Sequence, residues 1–118
     1  MLRVLKEIRP TAKKTHKCEF CACKIISGQK YVRQTCVCDG EVYDFITHQE
    51  CTDLASKKNL YYDCDDDGLD GYSFRATLDE YVYSNHYDIE SGKIDSNWDL
   101  TYYDTVKKIL GEIKNKIN

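Results

Sequence analysis

The chain has 118 residues, 42% of them hydrophobic, and a formal net charge of −3, values that fit a single small globular domain. No stretch is apolar for long enough to span a membrane, and the charged start, Met1-Leu-Arg-Val-Leu-Lys, lacks the profile of a signal peptide. The cysteine count of seven is odd, which argues against a purely disulfide-bonded framework. We therefore expect a reducing, cytoplasmic compartment in which thiolates are available to bind metal.

The first segment is rich in positive charge. Leu2, Leu5 and Ile8 recur at roughly helical spacing before Pro10, so a short helix and a strand packed on the next segment are both compatible with the pattern. Residues 11–17 are predicted to form an exposed connection. Residues 1–17 together form a basic N-terminal arm with one carboxylate, Glu7, and these six cations: Arg3, Lys6, Arg9, Lys13, Lys14 and Lys17. The arm either binds nucleic acid, with Lys13, Lys14 and Lys17 as candidates for phosphate contacts, or is only a solvated face.

Two pairs of metal-binding residue types follow, separated by 26 residues: Cys18-Glu-Phe-Cys21 and His48-Gln-Glu-Cys51. Two cysteines at this spacing fit a tight turn that presents both sulfurs to one ion. A histidine and a cysteine three residues apart fit the first turn of a helix, where they share a face. Because four nitrogen and sulfur ligands suit a closed tetrahedral site, the sequence predicts Zn²⁺ bound by Cys18, Cys21, His48 and Cys51.

The residues between the two pairs predict a β-hairpin. Residues 29–35 and 41–47 are rich in β-forming residues, and they flank Asp39-Gly40, a dipeptide typical of two-residue hairpin turns. After the hairpin, a helix is predicted from the His48–Cys51 pair to about Lys58. A knuckle, a hairpin and a ligand-bearing helix in this order form a treble clef.

This pattern resembles PARP-type zinc fingers and, more loosely, LIM-type modules. The resemblance rests on the Cys-x-x-Cys pair, on Ile25 followed by Gly28, on the Asp-Gly turn, and on apolar residues before His-x-x-Cys. It covers about a third of the chain and implies the same four ligands. It also implies binding to DNA breaks, with Arg33 as the nearest candidate for a contact. The chain departs from the family pattern at Ile46-Thr47, where the family has an aromatic residue beside the ligand histidine.

The remaining cysteines near the finger leave alternatives open. Cys23, Cys36 and Cys38 could bind a second metal ion with His16 as the fourth ligand, or they could be small residues packed at the hairpin. Cys23 could also replace Cys21 as a ligand, although a two-residue spacer makes the better knuckle.

An acidic loop separates the finger from the rest of the chain. Asp63, Asp65 and Asp67 before Gly68 resemble the start of an EF-hand loop, but the twelfth position is Phe74 instead of a bidentate glutamate. A calcium site of another type over residues 63–70 and a solvated acidic loop both remain open. Cys64 within it has no partner at metal-binding spacing.

Two helices are predicted after this loop. The first runs from Ser73, as its N-cap, to about Asn85, and the second begins after Thr101, with Asp104 in its first turn. Residues 87–99 are predicted to be a polar connection. The predicted fold class is therefore α+β, a treble-clef finger over residues 18–60 that follows the basic arm 1–17. Residues 61–118 add the acidic loop and a two-helix extension.

These features predict a small zinc-binding protein that acts by binding and is not an enzyme. Four protein ligands leave zinc no open position for an activated water, and His16 and His86 belong to no acid–base motif. The partner is expected to be nucleic acid or a nucleoprotein, with no membrane and no small-molecule substrate. The alternative is a protein partner for the acidic, tyrosine-rich second half. One form of it is an inhibitor that imitates nucleic acid, as in many short phage-encoded proteins.

Overall fold

The computed structural model describes residues 2–58 and 69–117 of the chain. Cys64 and four aspartates of the predicted calcium loop, Asp63, Asp65, Asp66 and Asp67, fall between these ranges, so both predictions lie outside the described residues except at Asp70. The strands β1 to β7 are Leu2–Ile8, His16–Lys17, Lys24–Ile25, Tyr31–Cys38, Glu41–His48, Tyr87–Asp88 and Lys93–Ile94. The helices α1 to α3 are Gln49–Lys57, Gly71–His86 and Tyr102–Ile117, and a 3-10 helix spans Ser96–Trp98.

The main sheet has three antiparallel strands in the order β1-β4-β5. The β4–β5 hairpin is confirmed, and it turns at Asp39 and Gly40, whose φ angles of 52° and 83° are those of a left-handed two-residue turn. Of the two structures compatible with the first segment, the strand is the correct one. Its pairing with β4 is interrupted by an irregularity between Val4 and Lys6.

Residues 11–17 are largely exposed, as the sequence predicts, but both ends of the segment are bound to neighbouring strands. Ala12 is 3% exposed, its N–H donates to the Gln29 carbonyl, and its carbonyl accepts from the Gly28 N–H. Thr11 forms a β-bridge with Lys30, and β2 pairs with β3. The segment is therefore bound to the finger at residues 11–12 and at His16–Lys17, because its backbone groups find partners there.

The three predicted helices lie where the sequence places them, with differences at the starts of α1 and α2. Helix α2 begins after Asp70, whose carboxylate accepts the Ser73 N–H at 2.7 Å, so Asp70 and not Ser73 is the N-cap. An ionised carboxylate satisfies a free N–H at a helix start and also interacts favourably with the helix dipole. Helix α3 begins as predicted, with the Asp104 N–H donating to the Thr101 hydroxyl at 3.2 Å.

Residues 87–99 contain more regular secondary structure than the polar connection that the sequence predicts. They form the β6–β7 hairpin, which turns at Gly92 with a φ of 69°, and then the 3-10 helix. Trp98 ends that helix, is 6% exposed, and stacks on His86 with 3.9 Å between ring centroids. The tryptophan therefore anchors this connection to the end of α2.

One hydrophobic core joins the finger to the helices. Phe20, between the two knuckle cysteines, stacks on Phe74 of α2 with ring centroids 4.6 Å apart. The start of α2 lies so close to the knuckle that a Cβ atom at Gly71 would overlap the Glu19 carbonyl oxygen. The fold is mixed α+β, as predicted, while the treble clef stays a prediction. None of the helices in residues 2–58 and 69–117 is long and apolar enough to cross a membrane.

Candidate metal centre

Four potential metal ligands meet in the interior of the finger. One donor atom from each of Cys18, Cys21, His48 and Cys51 lies within 4.8 Å of the others. All four residues are at most 1% exposed. None of the six cysteines in the described ranges forms a disulfide, so no such bond explains why three sulfurs converge. The cluster has the composition of a metal-binding site and is consistent with one.

The knuckle that carries the first two sulfurs is closed by its own backbone. The Ala22 N–H donates to the Cys18 carbonyl, and the Cys18 N–H donates to the Cys23 carbonyl, both at 3.0 Å. Ala22 adopts a φ of 63°, a left-handed conformation that glycine adopts with less strain than alanine. The turn brings Cys21 into the cluster, whereas Cys23 is half-buried and outside it.

The other two donors come from the junction of β5 and α1. His48 is the last residue of β5 and the N-cap of α1, so it precedes the first helical turn in which the sequence places it. Cys51 lies within that turn. The two residues are only three positions apart, so both side chains reach one site, His48 from the end of the strand and Cys51 from the first turn of the helix.

Hydrogen bonds within the cluster favour the negatively charged thiolate form of Cys18. The backbone N–H groups of Cys21 and His48 donate to the Cys18 sulfur at 3.5 Å and 3.2 Å. Hydrogen bonds from the Cys21 and Cys51 thiols lower the pKa of Cys18. The same interactions with Cys18, together with burial, raise the pKa of Cys21 and of Cys51. A second thiolate therefore needs a compensating positive charge, which a divalent cation would supply.

The two ring nitrogens of His48 have different partners. Its Nε2 lies 3.1 Å from the Lys24 carbonyl oxygen, which accepts hydrogen bonds only, so this nitrogen carries the proton. Its Nδ1 lies 3.2 Å from the Cys21 sulfur and presents its lone pair to the cluster. A ligand histidine held by a backbone carbonyl in this way has a fixed orientation and tautomer.

Tyr103 of α3 covers the histidine from the helical half. Its ring stacks on His48 with centroids 3.7 Å apart and planes at 16°. Its hydroxyl donates to Glu50 at 3.1 Å, and burial and that carboxylate raise the pKa of Tyr103. The sequence does not predict this role for Tyr103. The Tyr102-Tyr103 pair was its only signal, since nothing local connects position 103 to position 48.

A second metal site of Cys23, Cys36, Cys38 and His16 does not form in the part of the chain that the structure describes. Cys36 is buried within β4, opposite Tyr43. The His16 ring packs on Tyr31, with centroids 4.9 Å apart. The interpretation of these cysteines as packed residues therefore fits the structure better than a second site.

The predicted nucleic-acid contacts differ in exposure. Lys13, Lys14 and Lys17 are exposed. Arg33 lies on the central strand β4 and is half-buried, and its guanidinium donates to the Tyr31 hydroxyl at 3.3 Å. The two kinds of side chain are thus not equally available to a partner.

Two further cations lie on the sheet face that carries Arg33. In the register of β1 and β4, Arg3 is opposite Val37, Lys6 is opposite Thr35 and Ile8 is opposite Arg33. Opposed residues share a face, and residues two apart on a strand do too, so Arg3, Lys6 and Arg33 point the same way. Arg9 instead forms ion pairs with Asp53 at 3.1 Å and with Glu7 at 3.7 Å.

Comparison with protein-family models, with curated protein sequences and with solved structures gives no match for this chain. The likeness to PARP-type fingers therefore stays a prediction from the spacing of residues. The Cys3His cluster itself rests on the structure and on the chemistry of its donors.

Proposed function

We propose that the chain is a zinc-stabilised module that binds nucleic acid and carries out no catalysis. Three thiolate sulfurs and one imidazole nitrogen are the donors that structural zinc prefers, in tetrahedral coordination. Cys18, Cys21, His48 and Cys51 would hold the ion, which would tie the knuckle to the start of α1. The order of knuckle, hairpin and helix around these donors supports a treble clef like that of PARP-type fingers.

A structural role for the metal follows from the closure of the site. Four protein donors complete a tetrahedral zinc site, and a catalytic site needs a position for water or substrate. The donors are at most 1% exposed, and the Tyr103 ring lies over the histidine. In the part of the chain that the structure describes, the four donors are therefore shielded from a substrate.

The observation that carries the nucleic-acid proposal is the charge of residues 2–38. This segment has nine lysines and arginines against Glu7 and Glu19, a formal charge of +7. Its exposed lysines Lys13, Lys14 and Lys17 lie on a short segment that is bound to the finger at both ends, through residues 11–12 and through β2. Cations held on a rigid support can contact successive phosphates with little loss of backbone entropy on binding.

Binding of labelled duplex DNA, single-stranded DNA and RNA by the metal-loaded protein tests this proposal. Fluorescence anisotropy over a range of salt concentrations should give a Kd that weakens steeply with salt. Lys13→Gln/Lys14→Gln should weaken binding and reduce the slope of log K against log salt by about 2 on duplex DNA, because each phosphate contact contributes about 0.9.

The matched control is Lys93→Gln/Lys114→Gln, which removes two exposed lysines from the helical half. The control should keep the slope of the wild type. Equal weakening by both double variants, or no salt-dependent binding by the metal-loaded wild type, would contradict the proposal. Elemental analysis should give one zinc per chain, and a metal-free purified protein would remove its structural basis.

A further inference from the structure

The helical half contains a groove that the proposed nucleic-acid function does not use. It runs between α2, the β7 strand, the 3-10 helix and the start of α3, with a volume of about 890 Å³. Leu78 and Val82 of α2 and Trp98 of the 3-10 helix form its floor, and each is at most 6% exposed. The floor is therefore apolar and firmly packed into the core.

The walls of this groove are large apolar side chains that remain accessible to water. Tyr83 is 60% exposed, Ile94 is 43% exposed and Leu100 is 41% exposed. Single exposed apolar residues are ordinary, but three around one groove with an apolar floor form a contiguous surface. Covering such a surface with a partner is favourable, because apolar area is removed from water.

Carboxylates surround this apolar surface. Asp79, Glu80 and Asp99 line the groove against one cation, Lys93. The surrounding residues 69–104 hold eight carboxylates against Arg75 and Lys93, a formal charge of −6. We define the acidic groove as the floor of Leu78, Val82 and Trp98, the walls of Tyr83, Ile94 and Leu100, and these three carboxylates.

We propose that the acidic groove is a docking site for a basic segment of a partner protein, one with large apolar side chains beside lysine or arginine. Apolar side chains of the segment would cover Ile94 and Leu100, and its cations would face Glu80 and Asp99. The charge complementarity selects this occupant, because phosphates would be repelled by the same carboxylates. The site is independent of the proposed nucleic-acid surface, which lies on the basic residues 2–38.

Selection from a phage-displayed library of random short peptides on the immobilised, metal-loaded chain tests the docking site. Enriched peptides should combine lysine or arginine with large apolar residues. Synthetic, fluorescein-labelled copies of them should then bind in an anisotropy titration, more weakly at high salt.

Two matched pairs of substitutions locate the binding. Ile94→Asp should raise the Kd at least about tenfold, as expected when an apolar contact at the centre of an interface is lost. Ile89→Asp, at a residue that is 87% exposed and outside the groove, should leave the Kd within about twofold. Glu80→Lys should weaken binding at low salt, whereas Glu90→Lys, also exposed and outside the groove, should change it less. Metal content and melting temperature of each variant verify folding.

Three results would overturn the proposal. The first is that no peptide is enriched, or that the enriched peptides lack basic residues. The second is that Ile94→Asp and Ile89→Asp weaken binding equally. The third is concentration-dependent self-association in sedimentation that Ile94→Asp abolishes, which would assign the groove to a second copy of this chain. Unchanged nucleic-acid binding by Ile94→Asp would keep these outcomes separate from the proposed function.

Discussion

The two regions of this molecule fill their interiors with different chemistry. Residues 2–58, the finger and the arm before it, bury three cysteines and a histidine beside the apolar side chains of Phe20, Ile25 and Leu54. The helical half, residues 69–117, buries an ordinary apolar stripe that includes Phe74, Leu78, Val106 and Ile109. Their formal charges differ in sign as well, +4 for residues 2–58 and −3 for residues 69–117.

This difference shows how a short chain divides the sources of its stability. A metal can replace a large core in the finger, because its binding free energy becomes folding free energy. The helices need no ion, yet Phe74 stacks on Phe20 and Tyr103 stacks on His48. The two regions are therefore joined at the Cys3His cluster itself, so that loss of the proposed ion should affect both.

Removal of the metal should have the largest effect. A chelator should lower the melting temperature by more than about 10 °C, since several kcal/mol of stability would be lost at about 4–8 °C per kcal/mol. Far-UV circular dichroism follows the whole chain, and Trp98, the only tryptophan, reports on the helical half. We expect both signals to change in one transition, and a Trp98 signal that is unaffected by chelation would mean that the regions are independent.

Cys51→Ser should reproduce the effect of the chelator, because it removes one of the four donors. Cys38→Ser is its matched control, since Cys38 is half-buried and outside the cluster. Equal melting temperatures for the two variants, with equal metal content, would refute the four-residue site.

Phe74→Ala should have the next largest effect, a loss of about 3–5 kcal/mol in the free energy of unfolding. The ring is completely buried and stacks on Phe20 between the knuckle cysteines, so the loss should reach the finger as well. Urea denaturation measures it. Tyr72→Ala, at a side chain that is 79% exposed, is the control and should change stability by less than about 0.5 kcal/mol.

Asp70→Ala should cost about 1 kcal/mol, the usual value of a helix N-cap. The hydrogen bond from the Ser73 N–H lowers the pKa of Asp70, so its contribution is present above the unfolded-state pKa of about 3.9 and is lost as the pH falls through the lower folded-state value. The difference from the wild type in urea should therefore be constant between about pH 5 and 8. Ser73→Ala should cost much less, and the reverse order would make Ser73 the cap.

Ala22→Gly should have the smallest effect, and it should stabilise the protein. The left-handed conformation of Ala22 costs about 1–2 kcal/mol, and the greater freedom of glycine in the unfolded chain offsets about 0.4–1 kcal/mol of the gain. A net gain of about 0.5 kcal/mol is expected by urea denaturation. Ala76→Gly, inside α2, should instead lose about 1 kcal/mol, and equal losses at both positions would contradict the strain at Ala22.

The sequence is informative where the signal is local. The spacing of Cys18, Cys21, His48 and Cys51 leads to residues that meet in space, and Asp39-Gly40 specifies the hairpin turn through backbone conformation alone. The helices follow from periodicity. These features need only a few neighbouring residues to be recognised.

What the sequence left undecided depends on contacts between distant residues. The pairing of β1 with β4 decides between strand and helix for residues 2–8, and the pattern of Leu2, Leu5 and Ile8 carries no record of it. Tyr103 covers a histidine 55 positions earlier. The exposure of Arg33 was also unpredictable, since a single strand does not reveal that it will be central in its sheet.

The position of Tyr103 in the chain has a consequence for how the protein is made. It is synthesised 52 residues after Cys51, which at about 5–20 residues per second leaves about 3–10 s in which all four donors exist without their cover. We expect metal to enter during this interval and to exchange slowly afterwards. Zinc added during cell-free translation should then be incorporated faster than zinc added to the purified metal-free protein, and equal rates would show that the ring is no barrier.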